Sequence, residues 1–495
     1  MIAFLNRLAA WRRFLLWPAD IGSAHGDGVT PTFIGVILAA VGLVLLFRAP
    51  AHHLLALVIL CMLLGGSAAI QLPALGGSSV PPAYFALGFL VLRCLLPGTH
   101  MPGRWQEAFR SQWPFILFTL YGVIGAIFLP RIFQGAMQVP ALRPSAGMNG
   151  LFDTETLRPV SSNITTAVYL IGTCLMALTA QVSVRTMDQA RSISRTMLWA
   201  AWIHLILGVG LMLLSGTAIA EAVLVLRNAN YAQLSQQYGD FVRISGIFPE
   251  PSSWAEMMFS LFLFSSGLAF IGVYRTTAVV TTLLCGAALL FSTSSSAYLG
   301  LAVYFALLAV KLFLDLRRTG WKAVSIIVPV AIAGLAAMLA VALLSPKFAD
   351  SFVNMVLAMT VDKGASSSAL QRNFWSQKAL EAFGVSLGLG VGPGSLRSSS
   401  LIAAVAGSMG VIGIVCLLAT CGSMIRTFVR APRTEAANLA KVAAGAGLVA
   451  LVPSLVLAPS PNPGLFFATC LGLAASLRLQ SLTRPPEERT REGGR

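Results

Sequence analysis

The sequence predicts an all-α, polytopic integral membrane protein of about 12–14 transmembrane helices, because a spanning helix takes about 20 apolar residues and the chain holds that many such runs. Three observations predict it. Hydrophobic residues make up 56% of the 495 and charged residues 11%, where soluble chains carry about a quarter charged residues. Mean hydropathy is +0.79. Apolar runs consume nearly the whole length, and no polar stretch is long enough for a second, soluble domain. A water-soluble fold could not hide so much apolar surface, whereas a bilayer accepts it. Residues 1–495 therefore read as a single membrane domain.

The elements follow in order. Residues 1–30 open with MIAFLNRLAAWRRFLLWPAD, which lacks a continuous apolar core and a small-residue cleavage site. The segment reads as a basic amphipathic helix on the membrane surface, with Arg7, Arg12 and Arg13 toward the head groups. Apolar segments then run over 32–47, 54–69, 83–96, 113–129, 165–182, 197–215, 254–273, 276–291, 297–314, 323–344, 401–421, 443–457 and 464–479. The breaks between them are short except for 131–164, 217–253 and 345–400. The short breaks are basic, with Arg185, Arg191 and Arg195, then Arg317, Arg318 and Lys322, then Arg426, Arg430 and Arg433. Residues 480–495 form a basic tail of disordered composition. The positive-inside rule assigns these breaks and the tail to the cytoplasm and the three long breaks to the other side. Thirteen simple crossings would leave the basic N-terminus outside, so one early segment within 32–77 is expected to be re-entrant or wrongly divided. No internal repeat and no matching pair of Gly/Pro-broken spans marks an inverted-repeat transporter.

The net charge of +16, from 34 Lys+Arg against 18 Asp+Glu, fits orientation and attraction to anionic lipid. Nucleic-acid binding is excluded as a reading, since there is no compact basic domain or aromatic-basic platform. Cys61, Cys94, Cys174, Cys285, Cys416, Cys421 and Cys470 all fall in or beside apolar runs and form no CxxC or Cys/His cluster. They read as small buried hydrophobes rather than disulfides or metal ligands.

Ionisable groups at membrane depth are costly and therefore candidates for function. The spans are nearly free of them. His204 is the main exception and reads as a satisfied packing residue, and no intramembrane relay of Asp, Glu and His is present. The informative residues lie in two of the long breaks. In the first, Arg243, Gly246, Phe248, Glu250 and Pro251 crowd together just before a span. Ser253 to Glu256 has the S-x-x-E spacing of a capping box for that span's helix. Glu250 lies between Pro249 and Pro251, which stiffen and extend its backbone. Two readings of it stand together: a fixed carboxylate serving as general base or sugar-hydroxyl ligand, or a salt bridge to Arg243 in a rigid turn.

In the second break, Ser368 to Gln371 is again a capping-box spacing, so a helix is expected to begin there. Trp375, Ala379, Ala382 and Phe383 share one apolar face, one turn after Arg372. This predicts a helix lying flat at the interface with Trp375 as its anchor. It ends in a glycine-rich turn, with Gly388, Gly390, Gly392, Pro393 and Gly394, followed by Ser395, Arg397 and a serine run at 398–400. Glycines let backbone N–H groups approach an anion, and arginines supply forked donors for phosphate. The alternative is a flexible loop with basic rims. Together the two breaks suit a lipid diphosphate at the interface. The five histidines lie outside both, which argues against triad or metal-assisted chemistry.

These residues resemble the O-antigen polymerase and ligase superfamily, the Wzy-like proteins of bacterial envelope polysaccharide assembly. The match spans roughly residues 197–424. It rests on the Arg243-x-x-Gly246-x-Phe248-x-Glu250-Pro251 stretch, on the serine-rich break FSTSSSAYLGL at 291–301, and on the Arg372-to-Ser400 run that precedes AGSMGVIG. In the serine-rich break, Ser295 and Ser296 stand where arginine is common in the family. The resemblance implies a GT-C-like membrane enzyme of the inner membrane with its site on the periplasmic side. The reaction it implies is a metal-independent inverting glycosyl transfer with no cofactor. The donor is a glycan on a polyprenyl diphosphate, and the acceptor is a sugar hydroxyl of another lipid-linked unit. It implies Arg243 and Arg372 as diphosphate-binding catalytic residues and Glu250 as the residue that orients or deprotonates the acceptor. Arg397, Lys378, Gly392, Gly394 and Ser395 are implied as substrate-binding residues. A chain-length regulator and export machinery are the implied partners, beside membrane lipid. The ligases often carry His-Asn after the glycine turn; this chain has the serine run there, which favours a chain-elongating polymerase, of envelope polysaccharide or exopolysaccharide, over a ligase. A lipid-linked oligosaccharide flippase, which needs charge inside the bundle, and a peptidoglycan-type glycosyltransferase are the competing readings.

Overall fold

The computed structural model describes residues 30–72, 78–96, 102–140, 152–229, 237–238, 241–292, 294–319, 367–430 and 434–483. The predicted surface helix at 1–29, the span at 323–344 and the tail from 484 onward lie outside the described residues. Within them the chain is an all-α bundle. Seven helices are long and apolar enough to cross a membrane: α5 (Trp113–Ile132), α6 (Ser161–Ser183), α7 (Met187–Leu213), α9 (Pro251–Ile271), α13 (Leu401–Arg430), α14 (Glu435–Val449) run on through α15 (Leu451–Ser454), and α16 (Gly464–Thr483). Shorter apolar helices complete it: α1 (Phe33–Arg48), α2 (Ala51–Cys61), α3 (Pro82–Leu95), α10 (Arg275–Phe291) and α11 (Ser295–Thr319). Three further helices are α4 (Pro102–Ser111), α8 (Ala218–Leu224) and α12 (Ser367–Val385).

Apolar side chains cover the outside as well as the core. Phe47, Ile206, Leu418 and Val429 are all more than 60% exposed, which suits lipid and not water. Inside, α14 with its sequence EAANLAKVAAGAGLV lies against α16, α9 and α13. Its run of alanines and glycines lets backbones approach closely, as membrane helices do where no hydrophobic effect drives them together.

The helices alternate in direction, so the bundle has two unlike ends. One end is basic. There Arg191 makes a two-pronged contact with Glu435, with Nε and Nη2 at 2.8 and 2.7 Å from the carboxylate. Arg195 Nη2 donates to the Tyr274 hydroxyl at 3.1 Å, and Arg93 Nε donates to the Ala49 carbonyl at 2.8 Å. Arg426 and Arg430 close α13 at this same end. The other end gathers the long connections and three small antiparallel sheets. β1 (Thr30–Pro31), β2 (Ile70–Leu72) and β3 (Ser78–Val80) form the first, with Thr30 opposite Gln71 and Gln71 opposite Ser79. β4 (Gln138–Pro140) pairs with β5 (Thr154–Thr156), and β6 (Gln237–Tyr238) with β7 (Phe241–Val242).

The early segment at 54–69 is not one helix. α2 stops at Cys61 after 11 residues, about 16 Å of rise against an apolar core of about 30 Å. The apolar run continues as a buried turn held from above. Ser67 Oγ donates to the Leu226 carbonyl, Ala68 N donates to Asn228 Oδ1 at 2.7 Å, and Ala229 N donates to the Gly66 carbonyl at 3.2 Å. The turn thus supports the 226–229 segment that leads into the candidate site.

Candidate functional site

The start of α9 is set by its two prolines. Glu250 is the N-cap with φ −139° and ψ 150°, and Pro251 is the first helical residue. A residue before proline is pushed to extended backbone, and proline loses nothing at a position whose N–H has no helical partner. Glu250 is therefore fixed as the sequence predicts. The capping box expected at Ser253–Glu256 is not formed. The helix starts two residues earlier, so Ser253 already lies in its first turn. The Glu256 carboxylate instead accepts a bond from Ser454 Oγ at 2.7 Å. Glu256 joins His204 as an ionisable group on a spanning helix, and it faces a pocket.

Around Glu250 the chain is well anchored. Ser252 Oγ donates to Glu250 Oε2 at 3.1 Å, and Arg227 Nη2 donates to the Pro249 carbonyl at 3.2 Å. Below it, the His204 ring stacks on Trp254 at 5.1 Å and meets the Phe248 ring edge-on at 5.0 Å. His204 Nε2 bonds the Trp254 carbonyl at 3.0 Å. His204 is the packing residue the sequence suggests.

The second connection begins with α12 at Ser367, one residue ahead of the predicted Ser368. Ala379 and Ala382 are fully buried on its apolar face, and α12 packs on α13. Trp375 is not a simple lipid anchor: the Arg397 guanidinium carbon stands 4.3 Å from its ring centroid. Such a cation–π contact is worth about 0.5–2 kcal/mol. Trp375→Ala is expected to release Arg397 and weaken diphosphate binding several-fold, read by titration of the purified protein with inorganic pyrophosphate. Unchanged affinity would remove Trp375 from the site. The serine run is tied to α12, since Ser399 Oγ donates to the Arg372 carbonyl at 2.7 Å and lies 3.0 Å from Ser376 Oγ. Lys378 pairs with Glu381 at 2.8 Å, so its charge is spent within α12.

The glycine-rich turn spends its backbone donors from Gly388 to Gly392 within the protein. The five N–H groups from Gly388 to Gly392 bond in turn to Phe383 O, Ser386 O, Ser386 Oγ, Gly407 O and Ser408 O, at 2.8–3.0 Å. Helix α13 makes this possible. Gly410 has non-helical φ 60° and ψ −154°, so the carbonyls of Gly407 and Ser408 are released to the turn, and Val411 N donates back to Gly388 O at 2.8 Å. Pro393 has no N–H to offer. Ser395 is buried as well, donating to Val391 O at 3.0 Å and accepting from Asn163 Nδ2 at 2.8 Å. A Cβ on Gly392 would meet Gly125 O and Pro130 Cδ at 2.7 Å. Gly392, Gly394 and Ser395 are thus a wedge between α5, α6 and α13, and close approach here is to protein rather than to an anion.

The arginines do converge. Burial holds the Arg243 guanidinium below the usual arginine range, the fields of Tyr298 and Glu250 push it up, and that of Arg372 pushes it down. Arg397 is likewise lowered by burial, raised by Glu250 and lowered by Arg372. Residues more than a hundred positions apart therefore share one electrostatic neighbourhood in which positive charge outnumbers negative. Like charges that share a partly desolvated neighbourhood repel, so this one suits an anion with forked acceptors. Tyr298 is the member that sequence reasoning missed. Its signal was the serine-rich break, which places α11 beside the site; Tyr298 Oη donates to the Leu290 carbonyl at 2.8 Å.

Fold and site together define a polytopic helical membrane protein with an arginine cluster and a fixed carboxylate at one end of its bundle. No protein-family model matches the chain, and no curated protein sequence matches it.

Proposed function

We propose that this protein polymerises polyprenyl-diphosphate-linked oligosaccharide repeat units into envelope polysaccharide or exopolysaccharide at the periplasmic face of a bacterial inner membrane. The observation that carries the reading is that Arg243 and Arg397 both feel the field of Glu250 and that of Arg372. It is the charge arrangement that a Wzy-like, metal-independent inverting transfer requires. An acceptor sugar hydroxyl attacks the anomeric carbon of the donor from the face opposite the diphosphate. The carbon–oxygen bond to the diphosphate breaks, and its electron pair leaves on that oxygen, where arginines offset the developing charge. The hydroxyl proton passes to Glu250. The glycan grows by one unit and a polyprenyl diphosphate is released. The basic end of the bundle is then cytoplasmic, as the positive-inside rule requires.

One observation favours a transporter, namely Glu256 on a cavity inside the bundle. A lone acid repels a diphosphate, however, and the cations stand at the bundle end instead of along a path through it. Deleting the protein separates the readings. Lipid-linked single units accumulating on the outer face are the expected result, and units confined to the cytoplasmic face would establish a flippase instead.

A further inference from the structure

Beside the arginine cluster lies a separate cavity of about 320 Å³, at the small end of the range for ligand pockets, about 300–1,000 Å³. Its wall is mostly apolar and aromatic, including Tyr84, Phe248 and Phe467, with Cys61 at the end of α2. Glu256, Ser253, Ser260 and Ser454 give it one polar side. Ser253, Glu256, Met257 and Ser260 project from one stripe of α9 at spacings of three and four. The turn at 64–65, Pro81 at the start of α3 and Gly464 at the start of α16 also line it, so it sits at the site end of the bundle. Glu256 follows Glu250 by six residues on the same helix, about 9 Å of rise.

A carboxylate is a costly group to keep among apolar walls unless it has partners. Ser454 supplies one hydrogen bond to Oε1, and a carboxylate has acceptor capacity for several. Rings beside a carboxylate and hydroxyls are the surroundings that suit a pyranose, whose C–H faces are apolar and whose edges donate hydrogen bonds.

We infer that this cavity is a carbohydrate subsite for the acceptor glycan, in which Glu256 accepts hydrogen bonds from the hydroxyls of a sugar adjoining the reacting one. The inference rests on the polymerase reading and assigns the acceptor's place in it. The arginines hold the donor diphosphate, and the cavity holds uncharged sugar and so fixes which glycan is extended. Glu256 is a binding residue and is not the base of the transfer.

The test uses the purified full chain in lipid nanodiscs with two probes: inorganic pyrophosphate, and single repeat units released by hydrolysis from the producing cell's polysaccharide. Glu256→Gln keeps the side chain's shape and its acceptance from Ser454, so it changes charge with little disturbance to the fold. It is expected to weaken repeat-unit binding about tenfold and leave pyrophosphate binding unchanged, since a hydrogen bond to a charged group contributes about 1–1.5 kcal/mol more than one to a neutral group. Ser454→Ala should weaken repeat-unit binding by a smaller factor. Unaltered repeat-unit binding in Glu256→Gln, an equal loss of both probes, or wild-type protein that binds pyrophosphate and no repeat units would each overturn the subsite. Failure of pyrophosphate to bind, or binding insensitive to Arg243→Ala, would instead overturn the polymerase reading beneath it.

Discussion

Arg243→Ala and Arg372→Ala are each expected to remove long-chain polysaccharide and leave single repeat units on the lipid carrier. A hydrogen bond to a charged group contributes about 1.5–3 kcal/mol, which is about 10- to 150-fold in the rate of each transfer. A polymer compounds that loss, because every added unit needs another transfer. Lysine at either position keeps charge but not the planar fork, so those variants should make short chains. Arg397→Ala should be intermediate, because Arg397 is already engaged by the Trp375 ring. Chain-length ladders on gels of extracted polysaccharide read the effect. Normal ladders from both alanine variants would sink the site assignment.

Gly394→Ala is expected to unfold the site from beneath without touching an arginine. Gly394 sits at φ +82°, and an added Cβ would press on the Ser162 carbonyl and stand 2.8 Å from Asn163 Cα. Left-handed backbone costs a residue with a Cβ about 1–2 kcal/mol, and overpacking adds about 1–3 kcal/mol. Relief requires the turn to lift from α6, which breaks the bonds from Asn163 Nδ2 to the Pro393 carbonyl and Ser395 Oγ and from Ser162 Oγ to the Gly394 carbonyl. The variant should lose several degrees of thermal stability in detergent and elute as a broadened species. Gly103→Ala, where an added Cβ meets nothing within 4 Å, should behave as wild type. Equal melting of Gly394→Ala and wild type would show that the turn does not buttress the site.

The helices were legible because apolar runs of spanning length have few other destinations, and most predicted segments coincide with helices. The run at 54–69 misled because apolarity reports burial and not conformation: its second half is buried as a turn under Asn228 and Phe248. The Ser253–Glu256 spacing misled because Pro251 starts the helix first. The arginines could be named as a set, since charge is rare in this chain. That Arg243 and Arg397 would feel the same carboxylate depends on tertiary packing, which one sequence does not encode in any local pattern. The glycine turn carries the sharper lesson. Positive φ and close approach were readable from Gly388 to Gly394, but whether the approaching group is a ligand or the protein's own carbonyl was not. The break at Gly410 decides it, by releasing acceptors that the turn then occupies.

That saturated turn has a consequence for conditions. With the backbone donors from Gly388 to Gly392 engaged, the proposed capture of a diphosphate leans on guanidinium groups and not on that stretch of the turn. Arginine keeps its proton across the whole physiological range, so anion capture at this surface is set by ionic strength and not by acidity. The screening length is about 8 Å at physiological salt and about 3 Å at 1 M. On the proposed reading, the salt around the protein therefore tunes how strongly these guanidinium groups draw a diphosphate in.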